Sequence, residues 1–284
     1  MRLVHACLPI VALSVAGCTL LLDPDEYRDG AQSHAGGSGP GGGSSGTGGC
    51  TGGCGVVSAT AGGTGGAGGM GPGYEAVVMA DRPVAYWRLG DAVGSATAKN
   101  IASQMGDGSY QNVVLGADGL ISDPDTAASF SGSLSSYLDV GTPFVFSGFE
   151  RFTLEAWLDA QIVDSVPRYI FDVWNGIDDG YRVDFDSTSL RFLRQVAGLD
   201  AIGSLAAPMP SEILYVVAVY DGSNVCIYAN AGIPSCSPSD GNLMLSGKSL
   251  SIGYNVNGVL DEVAVYAREL TPAQIDAHFA AGTR

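Results

Sequence analysis

The chain has 284 residues, 46% of them hydrophobic and only 15% charged, with 29 acidic residues against 13 basic ones and a net charge of −16. That balance excludes a nucleic-acid partner gripped through its phosphates, which requires a basic footprint. It is compatible with cation binding and, more simply, with solubility. The 42 glycines are concentrated in one stretch, so only the remainder can build a core.

The chain opens on Arg2 and an apolar run from Cys7 to Ala16, broken only by Pro9 and Ser14. The run has the length of a signal-peptide core and is too short to span a bilayer. It ends in Val15-Ala16-Gly17-Cys18, which resembles a bacterial lipobox. The resemblance implies a signal peptide over 1–17 and lipidation of Cys18, since small residues fit the peptidase and only a thiol forms the thioether. The alternative is an ordinary secretory signal with an incidental Cys. Two or three acyl chains, at about 0.8 kcal/mol per buried methylene, would make the membrane a stable partner through the anchor. Thr19 stands where Asp often marks inner-membrane retention, so the resemblance leans toward the outer membrane or cell surface.

Residues 18–73 are expected to form the lipidated N-terminus and a flexible tether. From Gly36 to Gly73 about half the residues are Gly, with Ser, Thr, Ala and Pro filling most of the rest. Such a segment cannot bury a core and behaves as a disordered linker, with a root-mean-square span of roughly 35 Å. Cys50 and Cys54 within it are compatible with a small disulfide loop or an intermolecular pair. A metal site there lacks further ligands nearby.

From Tyr74 to the C-terminus, short β-rich runs alternate with Gly, Asp, Asn, Ser and Pro clusters. Strands are predicted near 84–89, 110–115, 127–130, 137–140, 151–158, 169–173, 181–185, 190–195, 214–220, 225–229, 250–253 and 259–266. Many short strands with almost no helix indicate a sandwich or barrel. In 151–159, Phe152, Leu154, Ala156 and Leu158 share the face expected inside, which leaves Thr153, Glu155, Trp157 and Asp159 opposite. Asp221-Gly222 marks one hairpin and Asn230-Ala231-Gly232 the next. A hairpin centred on Ala231 sets Cys226 opposite Cys236, which predicts a cross-strand disulfide in an oxidising compartment. Thr271, Pro272 and Gln274 form a capping box for a closing helix over about 272–280, with Ile275, His278 and Phe279 on its packing face.

Several stretches together resemble the laminin-G-like, concanavalin A-like jelly-roll family. They are 74–91 (YEAVVMADRPVAYWRLGD), 127–132 (AASFSG), 152–157 (FTLEAW), 217–222 (VAVYDG), 227–230 (IYAN), 258–266 (GVLDEVAVY) and 268–271 (RELT). The resemblance covers 74–284. It implies an all-β, two-sheet antiparallel jelly-roll sandwich with a short C-terminal helix, its first and last strands close together. It also implies a sugar-binding or adhesive role, sometimes with calcium. It places Asp91, Asn100 and Asp261 near one another as candidate Ca2+ ligands, with Asp107 as a possible extra oxygen donor. Two positions depart from the family: Leu214 or Tyr215 replaces a frequent Trp, and Asn100 a frequent Asp.

Catalysis finds little support. Retaining glycoside hydrolysis needs two carboxylates about 5.5 Å apart, and the Glu-x-Asp-x-x-Glu strand of related glucanases does not occur. Glu155 and Asp159 share a strand face but are too far apart, and Asp184 and Asp186 read as solvated carboxylates. Outside the signal segment only His34 and His278 remain, which excludes a three-His zinc site. Trp174, Asn175, Asp178, Asp179, Tyr181 and Arg182 cluster around one turn, with Trp157 and Glu155 as possible additions. This polar-aromatic set is the expected ligand-binding site. The sequence is therefore read as an anchored, non-enzymatic display module for a glycan or an extracellular or envelope protein. A structural envelope-assembly lipoprotein is the alternative, and a glycan-active enzyme a weaker one.

Overall fold

In the computed structural model, residues 73–283 are described, apart from 104, 105, 149, 175 and 246. Cys18, His34, Cys50, Cys54 and Asn175 lie outside the described residues.

The elements in chain order are α1 (Tyr74–Ala80), β1 (Ala85–Trp87), β2 (Thr97–Ala98), β3 (Gly108–Gln111), β4 (Val114–Asp118), β5 (Thr126–Ser131), β6 (Tyr137–Asp139), β7 (Phe152–Ala160), β8 (Arg168–Trp174), β9 (Gly180–Phe185), β10 (Ser189–Val196), β11 (Leu199–Ala206), β12 (Ile213–Tyr220), β13 (Asn224–Ala229), β14 (Ser235–Pro238), β15 (Ser251–Tyr254), β16 (Asn257–Tyr266) and α2 (Pro272–Gly282). They build two antiparallel sheets of eight strands each. Sheet A runs β14-β13-β12-β7-β16-β5-β4, with β1 also paired to β16. Sheet B runs β11-β10-β9-β8-β15-β6-β3-β2. The all-β jelly-roll sandwich expected from the sequence is the observed fold.

Alternation decides which side chains enter the core. Leu154, Ala156 and Leu158 of β7 point between the sheets and meet Phe171 and Val173 of β8, Val183 and Phe185 of β9 and Phe192 of β10. Full burial of each such large apolar side chain contributes about 1.5–3 kcal/mol. The strand expected over 110–115 divides into β3 and β4, because Asn112 takes a left-handed backbone conformation between them (φ 49°). β11 was not anticipated, since its buried positions carry only the small Ala201 and Gly203 while Leu199 and Ile202 are exposed.

The outer face of sheet A is buried as well. Trp157, Tyr215, Val217, Tyr86 and Tyr266 point outward and are covered by α1 and α2, which contribute Tyr74, Val78, Ile275 and Ala281. α1 was unanticipated. Tyr74 and Val78 stand one turn apart and are its two buried residues, so packing rather than propensity holds this short helix. α2 starts as expected, with the Thr271–Gln274 capping box formed, and continues to Gly282.

A buried carboxylate ties these layers together. Glu155 of β7 accepts from Tyr74 Oη (2.5 Å), Tyr266 Oη (3.0 Å) and His278 Nδ1 (3.0 Å). The other ring nitrogen of His278 contacts Asp81 Oδ2 at 3.0 Å, just beyond α1. Burial alone would lower the His278 pKa, but Glu155 and Asp81 together hold it above its ordinary value. His278 therefore pins β7, α1 and α2 together on the outer face of sheet A.

The hairpin of β13 and β14 has the register expected, with Cys226 opposite Cys236 and the two joined as a disulfide. The bond secures edge strand β14 beside edge strand β11 of the other sheet. Ser204 N donates to Ser235 Oγ and Ser237 Oγ donates to the Ile202 carbonyl. Gly203 permits this approach, because a Cβ there would lie 2.6 Å from the Ser235 carbonyl oxygen. Two exposed edges, each a template for unwanted pairing, thus shield one another.

Candidate functional site

With the outer face of sheet A covered, the outer face of sheet B is the broad surface left open. Its side chains fall into rows set by strand register, since directly paired residues lie on the same face. One row takes a single residue from each of the eight strands: Thr97, Ser109, Asp139, Ser251, Asp172, Arg182, Leu193 and Ile202. A neighbouring row holds Tyr254, Tyr169, Asp184 and Arg191. Tyr137 stands beside Tyr254 on β6.

Aromatic contacts join these rows into a strip. The ring centroids of Tyr137 and Tyr254 lie 5.8 Å apart, and those of Tyr254 and Tyr169 6.0 Å apart. The Arg182 guanidinium follows, 5.5 Å from the Tyr169 centroid and 4.8 Å from that of Trp174. The strip therefore crosses β6, β15, β8 and β9, and all five side chains are half-buried. Trp174 lies across Gly180, where a Cβ would come within 2.1 Å of the indole ring. Glycine at this strand position lets the ring lie close to the backbone.

Carboxylates run alongside. Asp184 is buried between two guanidiniums, with Arg191 Nε at 2.6 Å and Arg182 Nε at 3.1 Å. The second contact is an ion pair without hydrogen-bond alignment. Burial raises the Asp184 pKa, and the arginines offset this only in part. Arg191 also reaches Asp186 at 2.9 Å. Asp184 and Asp186 are thus held by one arginine, contrary to the reading of both as solvated carboxylates. Burial pushes Asp172 up to about 6, Arg182 opposing and Asp184 reinforcing the rise. Among the described residues nothing donates a hydrogen bond to the Asp172 carboxylate.

The predicted ligand set divides. Trp174 and Arg182 lie on the strip. Asp179 instead accepts from Ala197 N at 2.9 Å and so fixes the β8–β9 loop against the β10–β11 turn; Asp178 does the same through its carbonyl to Gly198 N. Two residues are corrected. Tyr181 is 0% exposed, because in β9 the odd positions face the core, where its ring packs on Phe152. Trp157 is 2% exposed, because α1 and α2 cover it and it stacks with Phe279. Glu155, on the same covered face, belongs to the His278 pin. Tyr137, Tyr169, Tyr254 and Asp172 were missed. Three lay within predicted strands, but β6, β15 and β8 are adjacent only through pairing between distant segments.

The expected calcium ligands are each engaged by protein donors. Asp91 accepts from Tyr110 Oη and lies against Lys99 N, while Asn100 Oδ1 accepts from the backbone of Tyr86 and Ala102. Asp261 Oδ2 accepts from Leu120 N, and Oδ1 has no partner among the described residues. Asp107 is engaged by Lys99 and the Asn100 amide. Calcium requires six to eight oxygens around one point, whereas these side chains are turned to separate protein donors. No group of three or more His, Cys, Asp or Glu among the described residues is arranged for a metal.

Instead, Asp261 and the neighbouring Glu262 occupy a bulge in β16, where Glu262 takes φ 52°. Glu262 accepts from Tyr86 Oη and from Arg88, which also pairs with Asp123, Asp125 and Glu75. Burial pushes Asp261 up to about 8 and Glu262 to about 7. On the sheet A side a shallow groove is lined by Arg151, Asp221, Tyr228, Glu269 and Pro272. Arg151 and Glu269 already pair there at 2.9 Å, and Tyr228 is the one aromatic ring in its lining.

No helix among the described residues is long and apolar enough to cross a membrane. Comparison with curated proteins returned no match. Among solved structures, the chain is similar to domain 4 of AbnA, a GH43 extracellular arabinanase from Geobacillus stearothermophilus, in complex with arabinotriose. The identity is 14% and the TM-score 0.56, over 69% of this chain and 98% of that one. It is also similar to the receptor binding domain of botulinum neurotoxin D (11% identity, TM-score 0.53, 70% of this chain and 52% of that one). A third likeness is to the binding domain of Paraclostridial Mosquitocidal Protein 1 (15% identity, TM-score 0.56, 70% and 52%). The chain spans about half the length of the last two, and at these identities the likeness is one of fold. The model of the concanavalin A-like lectin/glucanases superfamily matches residues 130–276, more than half of the chain, which therefore belongs to that family.

Proposed function

We propose that this protein is a lipid-anchored display module that binds a glycan across the outer face of sheet B. The observation that carries the proposal is the half-buried strip of Tyr137, Tyr254, Tyr169, Arg182 and Trp174, with Asp172 beside it. Aromatic faces stack on the apolar side of sugar rings, while carboxylate and guanidinium groups read hydroxyls. The similar structures support the reading: one was determined with arabinotriose, and two are binding domains. Calcium is not part of the proposal.

The anchoring half rests on the lipobox-like Val15-Ala16-Gly17-Cys18 and the Gly-rich segment after it. The described chain begins at Gly73 and passes into α1 on the outer face of sheet A. The strip lies on the opposite face of the sandwich, clear of that entry point. An outer-membrane or cell-surface location is part of the proposal.

Two experiments test it. On a glycan array the protein binds a defined saccharide class, and Tyr169→Ala or Trp174→Ala each weakens binding roughly tenfold, about 1.4 kcal/mol. Unchanged binding by both variants would move the site elsewhere. Cys18→Ser abolishes incorporation of labelled palmitate and releases the protein from the membrane fraction. Persistent labelling would remove the anchor assignment.

A further inference from the structure

We infer that the ligand is a neutral, linear oligosaccharide of at least three rings, lying across β6, β15, β8 and β9 along the row Asp139–Ser251–Asp172–Arg182. The inference rests on the glycan-binding reading above and specifies its substrate class.

Register carries the geometry. The four residues are successive partners on adjacent strands, so they form a straight polar track at right angles to the strands. The track continues into Leu193, which is buried, and Ile202, so its hydrogen-bonding part ends at β9. Toward the other edge the row runs on into Ser109 and Thr97, but the flanking rings end with Tyr137 on β6. From β6 to β9 there are three interstrand spacings of about 4.8 Å, or about 14 Å in all. That is the reach of a trisaccharide rather than of a single ring. Rings flank the track on both sides, with Tyr254 and Tyr169 in the row on one side and Trp174 on the other. A linear chain laid along the track therefore meets aromatic surface at either edge, whereas a branch would meet the tyrosines.

Chemistry carries the class. Asp172 offers two acceptor oxygens that take no hydrogen bond from the described residues. Its cross-strand partner Arg182 is held by two rings and by one Nε contact to Asp184, and its terminal nitrogens donate to none of the described residues. An acceptor and a donor side by side match neighbouring hydroxyls, each of which both donates and accepts. An anionic sugar meets a different field. Among the described residues Asp172, Asp184 and Asp186 are met by Arg182 and Arg191, and both arginines are already paired with Asp184. The chain as a whole carries −16. Like charge repels an acidic glycan, more strongly at low salt.

The test uses the full chain, purified in detergent, on an array of neutral and uronic-acid oligosaccharides of one to six rings. Calorimetry then follows a length series of the neutral hit. Affinity is expected to rise at least tenfold from one ring to three and then level off, with uronic-acid chains unbound at low salt. Asp172→Ala is expected to weaken binding at least fivefold while its melting temperature stays at or above that of the parent. Asp172→Asn, which keeps one acceptor oxygen, retains part of the affinity. Full affinity for a single ring, preference for acidic or branched chains, or an unaffected Asp172→Ala would overturn the inference and leave the glycan reading standing if Tyr169→Ala still weakens binding roughly tenfold. No glycan bound at all overturns both.

Discussion

Asp261→Asn is expected to stabilise this protein, and increasingly so as pH rises. The side chain is 1% exposed, one of its oxygens has no partner among the described residues, and the other accepts from Leu120 N. Burial, with Glu262 adding to it, lifts the carboxyl from an ordinary 3.8 to about 8. The native state thus holds a proton that the unfolded chain releases near pH 4. Stability therefore falls as pH rises between those two values, by about 1.4 kcal/mol per pH unit. At pH 7 the full cost would approach about 4 kcal/mol, and coupling to Glu262 reduces the share that one substitution recovers to about 2 kcal/mol. Asparagine keeps the acceptor for Leu120 N and removes the ionisation. Urea denaturation of parent and variant at pH 4, 5.5, 7 and 8.5 measures the gap. It should be near zero at pH 4, widen through neutrality and level off above pH 8. A variant less stable than the parent at pH 7, in a parent that also loses stability to a chelator, would refute the reasoning, because Asp261 would then be an ionised metal ligand.

Three further outcomes follow from the same structure. His278→Phe removes the charge facing Glu155 and is expected to cost about 3–5 kcal/mol at pH 6, as breaking a buried ion pair does. Because the folded-state pKa of His278 is raised, its contribution is complete below the unfolded value near 6.5 and is lost as pH climbs through the folded one. The gap in denaturation free energy should therefore shrink between pH 6 and pH 9. Cys226→Ser with Cys236→Ser closes no loop across a sequence separation of 10 and is expected to lose about 2.5–3 kcal/mol. Hydrogen exchange should show faster opening of β11, whose edge Ser235 and Ser237 cover. Gly180→Ala sets a methyl where the Trp174 ring lies and 2.7 Å from the Val173 carbonyl oxygen, so the β8–β9 backbone must shift too: glycan affinity and Trp174 fluorescence should change and the melting temperature should fall.

Local signals were most readable where one short stretch contained the whole argument. The Cys226–Cys236 register follows from a turn at Ala231 and the two-residue period of a strand, and both partners lie within one hairpin. The Thr271–Gln274 box likewise needs only four consecutive residues. Alternation in β7 separated Leu154 and Leu158 from Glu155 and Trp157 correctly. It could not say that the second face was buried too, because the covering residues come from α1 and α2 at the two ends of the domain. Trp157 therefore looked like a binding platform and is a packed one. Tyr181 was misassigned for a simpler reason: it belongs to a polar-aromatic cluster in sequence, yet the parity of β9 turns it inward and Arg182 outward.

By itself, then, the sequence determined the acidic, low-charge composition, the all-β class, the jelly-roll family, the disulfide hairpin and the capped closing helix. Each depends on interactions between near neighbours or on the sum over the chain. Only the tertiary structure decided which broad face is open, how Tyr137, Tyr254, Tyr169 and Trp174 join into one strip, and which protein donors engage Asp91, Asn100 and Asp261. Those outcomes depend on pairing between segments far apart in the chain, such as β6 with β15 and β15 with β8. Register between distant strands is chosen by the burial of the whole sandwich, and no local pattern encodes it.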